Sequence, residues 1–143
     1  MFDLPVRSVM VRRKTLKAPP ATSIARAAKL MAGKNVGAIM VVANRRLVGI
    51  FTERDLVFRV VACGLDVNTT TLAEVMTGEP ITIDPGRSFG HAMTLMHEKG
   101  FRHLPVVENG MPIGIVSARS AMDPDLEDFV SEAHRREHYR LDR

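Results

Sequence analysis

Thr52 and Asp55 stand three residues apart in Gly49-Ile50-Phe51-Thr52-Glu53-Arg54-Asp55, where an apolar run gives way to a helix. A hydroxyl at a helix start and a carboxylate one turn in can do either of two things. They can close on themselves, Thr52 capping the helix and Asp55 reaching back in a capping box, although Glu or Gln is commoner in that place. Or they can bind. A helix N-terminus offers free N–H groups and a positive dipole end, a seat for phosphate. A carboxylate beside it can accept both hydroxyls of a ribose, and charged hydrogen bonds of that kind contribute about 1.5–3 kcal/mol.

The same stretch occurs twice, and the second copy has lost the acid. A shift of 65 residues lays Pro20–Leu56 on Pro85–Ala121 without a gap. Identical pairs include Ser23/Ser88, Ala27/Ala92, Leu30/Leu95, Met31/Met96, Val41/Val106, Asn44/Asn109, Gly49/Gly114, Ile50/Ile115 and Arg54/Arg119, which marks an internal repeat. The counterpart of Thr52-Glu53-Arg54-Asp55 is Ser117-Ala118-Arg119-Ser120. A cap requires only the hydroxyl, which both copies keep. The unequal acid is the feature that points past capping.

Other chemistry finds little support. There is no serine or cysteine triad, no glycine-rich phosphate loop and no pair of carboxylates, so an enzyme is not expected. His134-Arg135-Arg136-Glu137-His138 has a zinc-protease spelling with both histidines on one helical face. It lies near the C-terminus with no evident third ligand, and no metal site is expected there. His91 and His97 sit on a helix without an acid or nucleophile at a meaningful spacing and read as surface residues.

At 143 residues the chain has the size of one domain. A half-chain of about 65 residues would be marginal alone, so two copies sharing one core are expected. The single cysteine, Cys63, excludes an intrachain disulfide and, beside Val60, Val61 and Ala62, is expected to be buried. Met1–Pro5 lacks signal-peptide character and no apolar run reaches membrane-spanning length, which leads to the expectation of a soluble cytoplasmic protein with no membrane partner. The net charge of +4 permits contact with anions. Basic residues are scattered, however, and aromatics are 5% with no Trp, so nucleic acid is not the expected partner.

Each copy must fold in a way that places the motif. Ser23 and Ser88 open helices whose apolar faces are Ile24, Ala27, Ala28 and Met31 in one copy and Phe89, Ala92, Met93 and Met96 in the other. Gly33 and Gly100 are the expected stops. The apolar runs Ile39–Val42 and Leu104–Val107 read as buried strands. Asn44-Arg45-Arg46 and Asn109-Gly110 turn the chain into partner strands Leu47–Phe51 and Ile113–Val116. A second helix then begins at Glu53 or Ala118. In the first copy it runs to about Cys63 with Gly64 as its stop, and it is apolar nearly all round except at Arg59. Such a helix is buried on more than one side. One side can face its own sheet and another a second subunit, or the first helices of the two copies can cover both sides. Residues 65–71 form a linker, and Asp123-Pro124 starts a separate tail helix.

The tandem order helix–strand–strand–helix, closed by Gly-Ile-Phe-Thr-Glu-Arg-Asp in the first copy and carrying Phe101-Arg102-His103-Leu104-Pro105-Val106-Val107 in the second, resembles a tandem CBS-domain protein, or Bateman module. The resemblance covers about Val6 to Met122. It implies an α+β fold of two β-α-β-β-α repeats (1–64 and 72–122) packed with pseudo-twofold symmetry, joined by the 65–71 linker and followed by a helical tail (123–143). It further implies a non-catalytic regulatory module, a homodimer with a protein partner still to be found, that binds an adenine nucleotide, AMP before ATP or NAD, between the repeats. By the same resemblance Thr52 and Asp55 hold ribose and phosphate with Ile50 and Arg54 alongside. Arg102 and His103 hold phosphate, and Pro80, Ile81 and Phe101 lie against adenine.

This sequence departs from that pattern in its other cleft. Ser120 replaces the acid, and Gly37-Ala38 stands where the second repeat has Arg102-His103. The expectation is one good site and a second, weaker one at Ser117, Arg119, Ser120, Gly37 and Ala38. A protein- or nucleic-acid-interaction module with no nucleotide ligand is the alternative.

Overall fold

The computed structural model describes residues 2–11, 15–121 and 136. The basic run 12–14, the tail helix expected from Asp123 and the two histidines of the His134–His138 motif lie outside the described residues. No described helix is long and apolar enough to cross a membrane.

The fold is α+β, built from two β-α-β-β-α repeats. In the first, β1 (Lys17–Ala18) leads to α1 (Ile24–Lys34), the hairpin β2 (Ala38–Ala43) and β3 (Arg46–Thr52), and α2 (Glu53–Asp55), which continues as a π-helical stretch over Leu56–Val61. A short α3 (Leu72–Val75) and β4 (Thr77–Gly78) open the second. They are followed by α4 (Phe89–Lys99), the hairpin β5 (His103–Glu108) and β6 (Met111–Ser117), and a 3-10 turn at Ala118–Ala121.

Local chemistry sets most boundaries. Ser23 caps α1 by accepting from Arg26 N at 3.2 Å, and Ser88 caps α4 by accepting from His91 N at 3.1 Å. Gly100 ends α4 in the left-handed region at φ 73°. Gly33, in contrast, lies inside α1, and the stop is Asn35, left-handed at φ 53°. Asparagine tolerates that region well enough to take the glycine's place. Both hairpins turn on two positive-φ residues, Asn44-Arg45 and Asn109-Gly110, the combination that matches strand twist.

The repeats are symmetric in register as well as in sequence. Ala18 pairs with Val41 in parallel, and Ile83 pairs with Val106 in the same way. The first hairpin is irregular between Val41 and Val42, the second between Val106 and Val107.

The lead-in to each repeat is built into the other. β4, which opens the second repeat, pairs antiparallel with β3 through Gly49–Gly78 and Ile50–Thr77. Val11, ahead of the first repeat, pairs antiparallel with Ile115 of β6. The lead-ins also serve the first helices: Ile24 N and Ala25 N donate to Thr70 O and Val67 O, while Phe89 N and Gly90 N donate to Leu4 O and Phe2 O. Hence there are two cores, not the one shared core expected from length. Leu72 and Val75 complete the core of the first repeat around Ile24, Ile39, Val41 and Phe51. Val6, Val9 and Met10 complete the second around Phe89, Leu104, Val106 and Val116.

Two expectations about the second helix are corrected. Cys63 is exposed, in the turn two residues past the π-helical stretch, and its Sγ donates to Phe58 O at 3.6 Å. Of the apolar residues there, only Val60 is buried. Val57, Phe58 and Val61 are 53%, 60% and 65% exposed, so the first helices of the two repeats do not cover both sides. One apolar side of the segment is open.

Candidate functional site

β3 delivers Thr52 to the start of α2, where a capping box forms. Asp55 N donates to Thr52 Oγ1 at 3.3 Å, and Asp55 Oδ2 accepts from Thr52 N at 2.9 Å and from Thr52 Oγ1 at 3.2 Å. Glu53 N is also engaged, by Gly37 O at 3.0 Å. The helix start is therefore less open than the sequence suggests. What remains for a ligand is chiefly the other carboxylate oxygen. Asp55 Oδ1 faces Arg59 Nε at 3.6 Å.

Arg59 is the residue sequence reasoning overlooks. Its position looks like a break in an apolar helix. In the structure its Nη1 donates to Val75 O and Met76 O, each at 3.2 Å. It thus ties Asp55 to the lead-in of the opposite repeat, just ahead of the cleft wall at Thr77–Ile81. An arginine spaced four residues from an acid on a helix is the signal that could have found it.

A cleft of about 990 Å³ opens in front of this corner. Ile50, Thr52, Arg54 and Asp55 come to it from the first repeat, Pro80 and Ile81 from the stretch after β4, and Phe101, Arg102 and His103 from the junction of α4 and β5. All nine residues predicted for the better site meet there. Glu53, Val57, Phe58, Glu79 and Lys99 also line it and were not foreseen. Arg54 lies over the Phe58 ring, 5.2 Å from its centroid, a cation–π contact that keeps its guanidinium at the mouth.

A second cleft, about 720 Å³, holds Gly37, Ala38, Ser117 and Arg119. Ser120 falls in the 3-10 turn that follows β6. Ala118 N donates to Arg102 O at 2.8 Å, the symmetry counterpart of the Glu53 N bond to Gly37 O.

Between the clefts stand Glu53, Arg102 and His103, which line both. Burial pushes the His103 imidazole below the ordinary histidine value. The Glu53 carboxylate pulls the other way, and Arg119 and Arg102 add to the lowering. Among the described residues no group of three or more His, Cys, Asp or Glu side chains could hold a metal ion.

The CBS domain family model matches residues 6–62 and 72–124. Among curated proteins, the CBS domain-containing protein YhcV of Bacillus subtilis is 40% identical over 98 residues, covering 68% of this chain and 69% of its own length. The CBS domain-containing protein CBSCBSPB1 of Arabidopsis thaliana is 38% identical over 104 residues, 72% of this chain, but the chain spans only 19% of that relative. Among solved structures, a conserved protein from Pyrococcus horikoshii superposes with a TM-score of 0.80 at 27% identity, covering 87% of this chain and 94% of the other. A CBS domain protein from Pyrobaculum aerophilum complexed with AMP superposes with a TM-score of 0.77 at 26% identity, covering 84% and 92%. The chain belongs to the CBS-domain family.

Proposed function

We propose that this chain is a non-catalytic regulatory module that binds an adenine nucleotide in the cleft at Asp55, with AMP favoured over ATP or NAD. One observation carries the reading: the hydroxyl and acid of one repeat and the Arg102-His103 pair of the other come together on a single cleft of about 990 Å³. That volume falls within the usual range for small-molecule pockets. Its chemistry is divided as a nucleotide is divided. Thr52 and Asp55 offer acceptors for the sugar, Arg102 a cation and His103 an imidazole N–H for phosphate, and Ile50, Pro80, Ile81 and Phe101 apolar surface for a base. An AMP-bound protein of the same fold lends support.

The second cleft binds more weakly in this reading, because Ser120 supplies no charge for the ribose and Gly37-Ala38 none for phosphate. The open side of the π-helical stretch, with Val57, Phe58 and Val61 exposed, is where a second copy docks. Titration calorimetry with AMP, ADP, ATP and NAD tests the site. One tight and one weak event per chain is expected; two equal events, or none with any of the four, would overturn it.

A further inference from the structure

Glu53, Arg102 and His103 form one wall with a cleft on each side. Gly37 seals it. Its backbone lies so close that a Cβ there would stand 2.6 Å from Glu53 Oε1 and 3.5 Å from His103 Nε2. The wall is therefore thin, with a carboxylate and an imidazole packed against bare main chain. The groups whose charge acts on His103 are Glu53, Arg102 and Arg119. Of these Arg119 lines only the second cleft, while Asp55 and Arg54 line only the first.

That division gives the second cleft a distinct chemistry. It has a guanidinium of its own and a share of another, against the one carboxylate of Glu53 in the shared wall, and Ser120 stands where the first repeat has the acid Asp55. It suits a phosphate-type anion better than a nucleoside. Arg102 can direct its paired donors at one anion at a time, and an anion on either side of a thin wall repels one on the other.

We propose that the second cleft is an anion site that antagonises the first: a phosphate held by Arg119 recruits Arg102 and weakens nucleotide binding at Asp55. Since coupling between two ligands is reciprocal, nucleotide in the first cleft also expels the anion from the second. This inference rests on the reading of the first cleft as a nucleotide site and adds what opposes it.

The test is calorimetric. AMP is titrated into the full chain with and without inorganic phosphate, chloride holding ionic strength constant, and the ratio of the two dissociation constants is compared between the wild type and Arg119→Ala. Phosphate competing directly at Asp55 raises Kd in both chains alike, so only the difference reports coupling. The wild-type ratio should be larger, by about tenfold, and Arg119→Gln, which keeps more of the side chain's bulk, should reproduce the loss. Equal ratios in all three chains would overturn the antagonism and leave the nucleotide site standing. Absence of AMP binding in the wild type would overturn both.

Discussion

Asp55 Oδ2 is bonded to both donors of Thr52, its N–H at 2.9 Å and its hydroxyl at 3.2 Å. The acid that would grip a ribose is thus held in place by the residue that would grip it alongside. The cap occupies one carboxylate oxygen and Arg59 Nε pairs with the other at 3.6 Å, so the proposed ribose contact would share that second oxygen with Arg59.

Replacing Asp55 separates the two roles. Asparagine retains an oxygen for the cap but loses the charge. Asp55→Asn should weaken AMP binding about tenfold or more, while thermal denaturation shows a folded protein of nearly unchanged Tm. Asp55→Ala should lose the same affinity and also about 1 kcal/mol of stability, as cap removals do. If Asn unfolds the chain, or leaves AMP affinity alone, the carboxylate is structural only.

The crossed lead-ins predict where added bulk is least tolerated. A Cβ on Gly114 would lie 2.8 Å from Met10 Sδ and 3.1 Å from Val11 O, and one on Gly49 would collide with Met76 Sδ. Gly114→Ala and Gly49→Ala should each destabilise by about 1–3 kcal/mol through overpacking, lowering Tm on the order of 5 °C. Gly33→Ala, which meets nothing within 4 Å, should be neutral or stabilising because alanine favours helix.

His103 sets a pH dependence. Folding lowers its proton affinity, chiefly by burial, with Glu53 opposing and Arg119 and Arg102 reinforcing. The unfolded chain therefore binds the proton more readily. Stability from this group is fully present above the ordinary histidine value of about 6.5 and is lost as pH falls below it. Urea denaturation between pH 5 and 8 should show that decline, and His103→Asn should flatten it. A bound phosphate restores proton affinity, so AMP binding should take up protons near pH 6 in excess of those the nucleotide itself accepts.

How much of this was legible in the sequence follows the range of the interactions. Ser23, Ser88 and Asn109-Gly110 act on their own neighbours, and the elements they bound appear where the sequence puts them. Thr52 and Asp55 were legible in their local spacing and in the unequal repeat, and the other seven residues of the first cleft were reached through the family likeness. Three features depended on distant chain and were hidden. Val11 pairs with Ile115, the cores complete each other, and the wall of Glu53, Arg102 and His103 has two faces. Cys63 misled because apolar neighbours signal burial only when something covers the helix. Asn35 supplanted Gly33 because a side-chain amide tolerates the left-handed region.

The uncovered helix face makes its own prediction. Val61 is 65% exposed and stands apart from the residues lining either cleft. If a second copy docks there, Val61→Glu should shift sedimentation equilibrium from dimer to monomer without changing AMP affinity at subsaturating protein. A wild-type chain that stays monomeric at high micromolar concentration would remove the homodimer from the reading.

The exchange of leading segments also bears on how such a duplication can persist. Once each copy finishes the other's sheet and roofs the other's interior, deleting either one strips the survivor of Val6, Val9 and Met10 or of Leu72 and Val75. Neither copy has a complete core without the other. Within the pair the two grooves remain free to diverge, because only the scaffold, and not the chemistry at Asp55 or Ser120, is held in common.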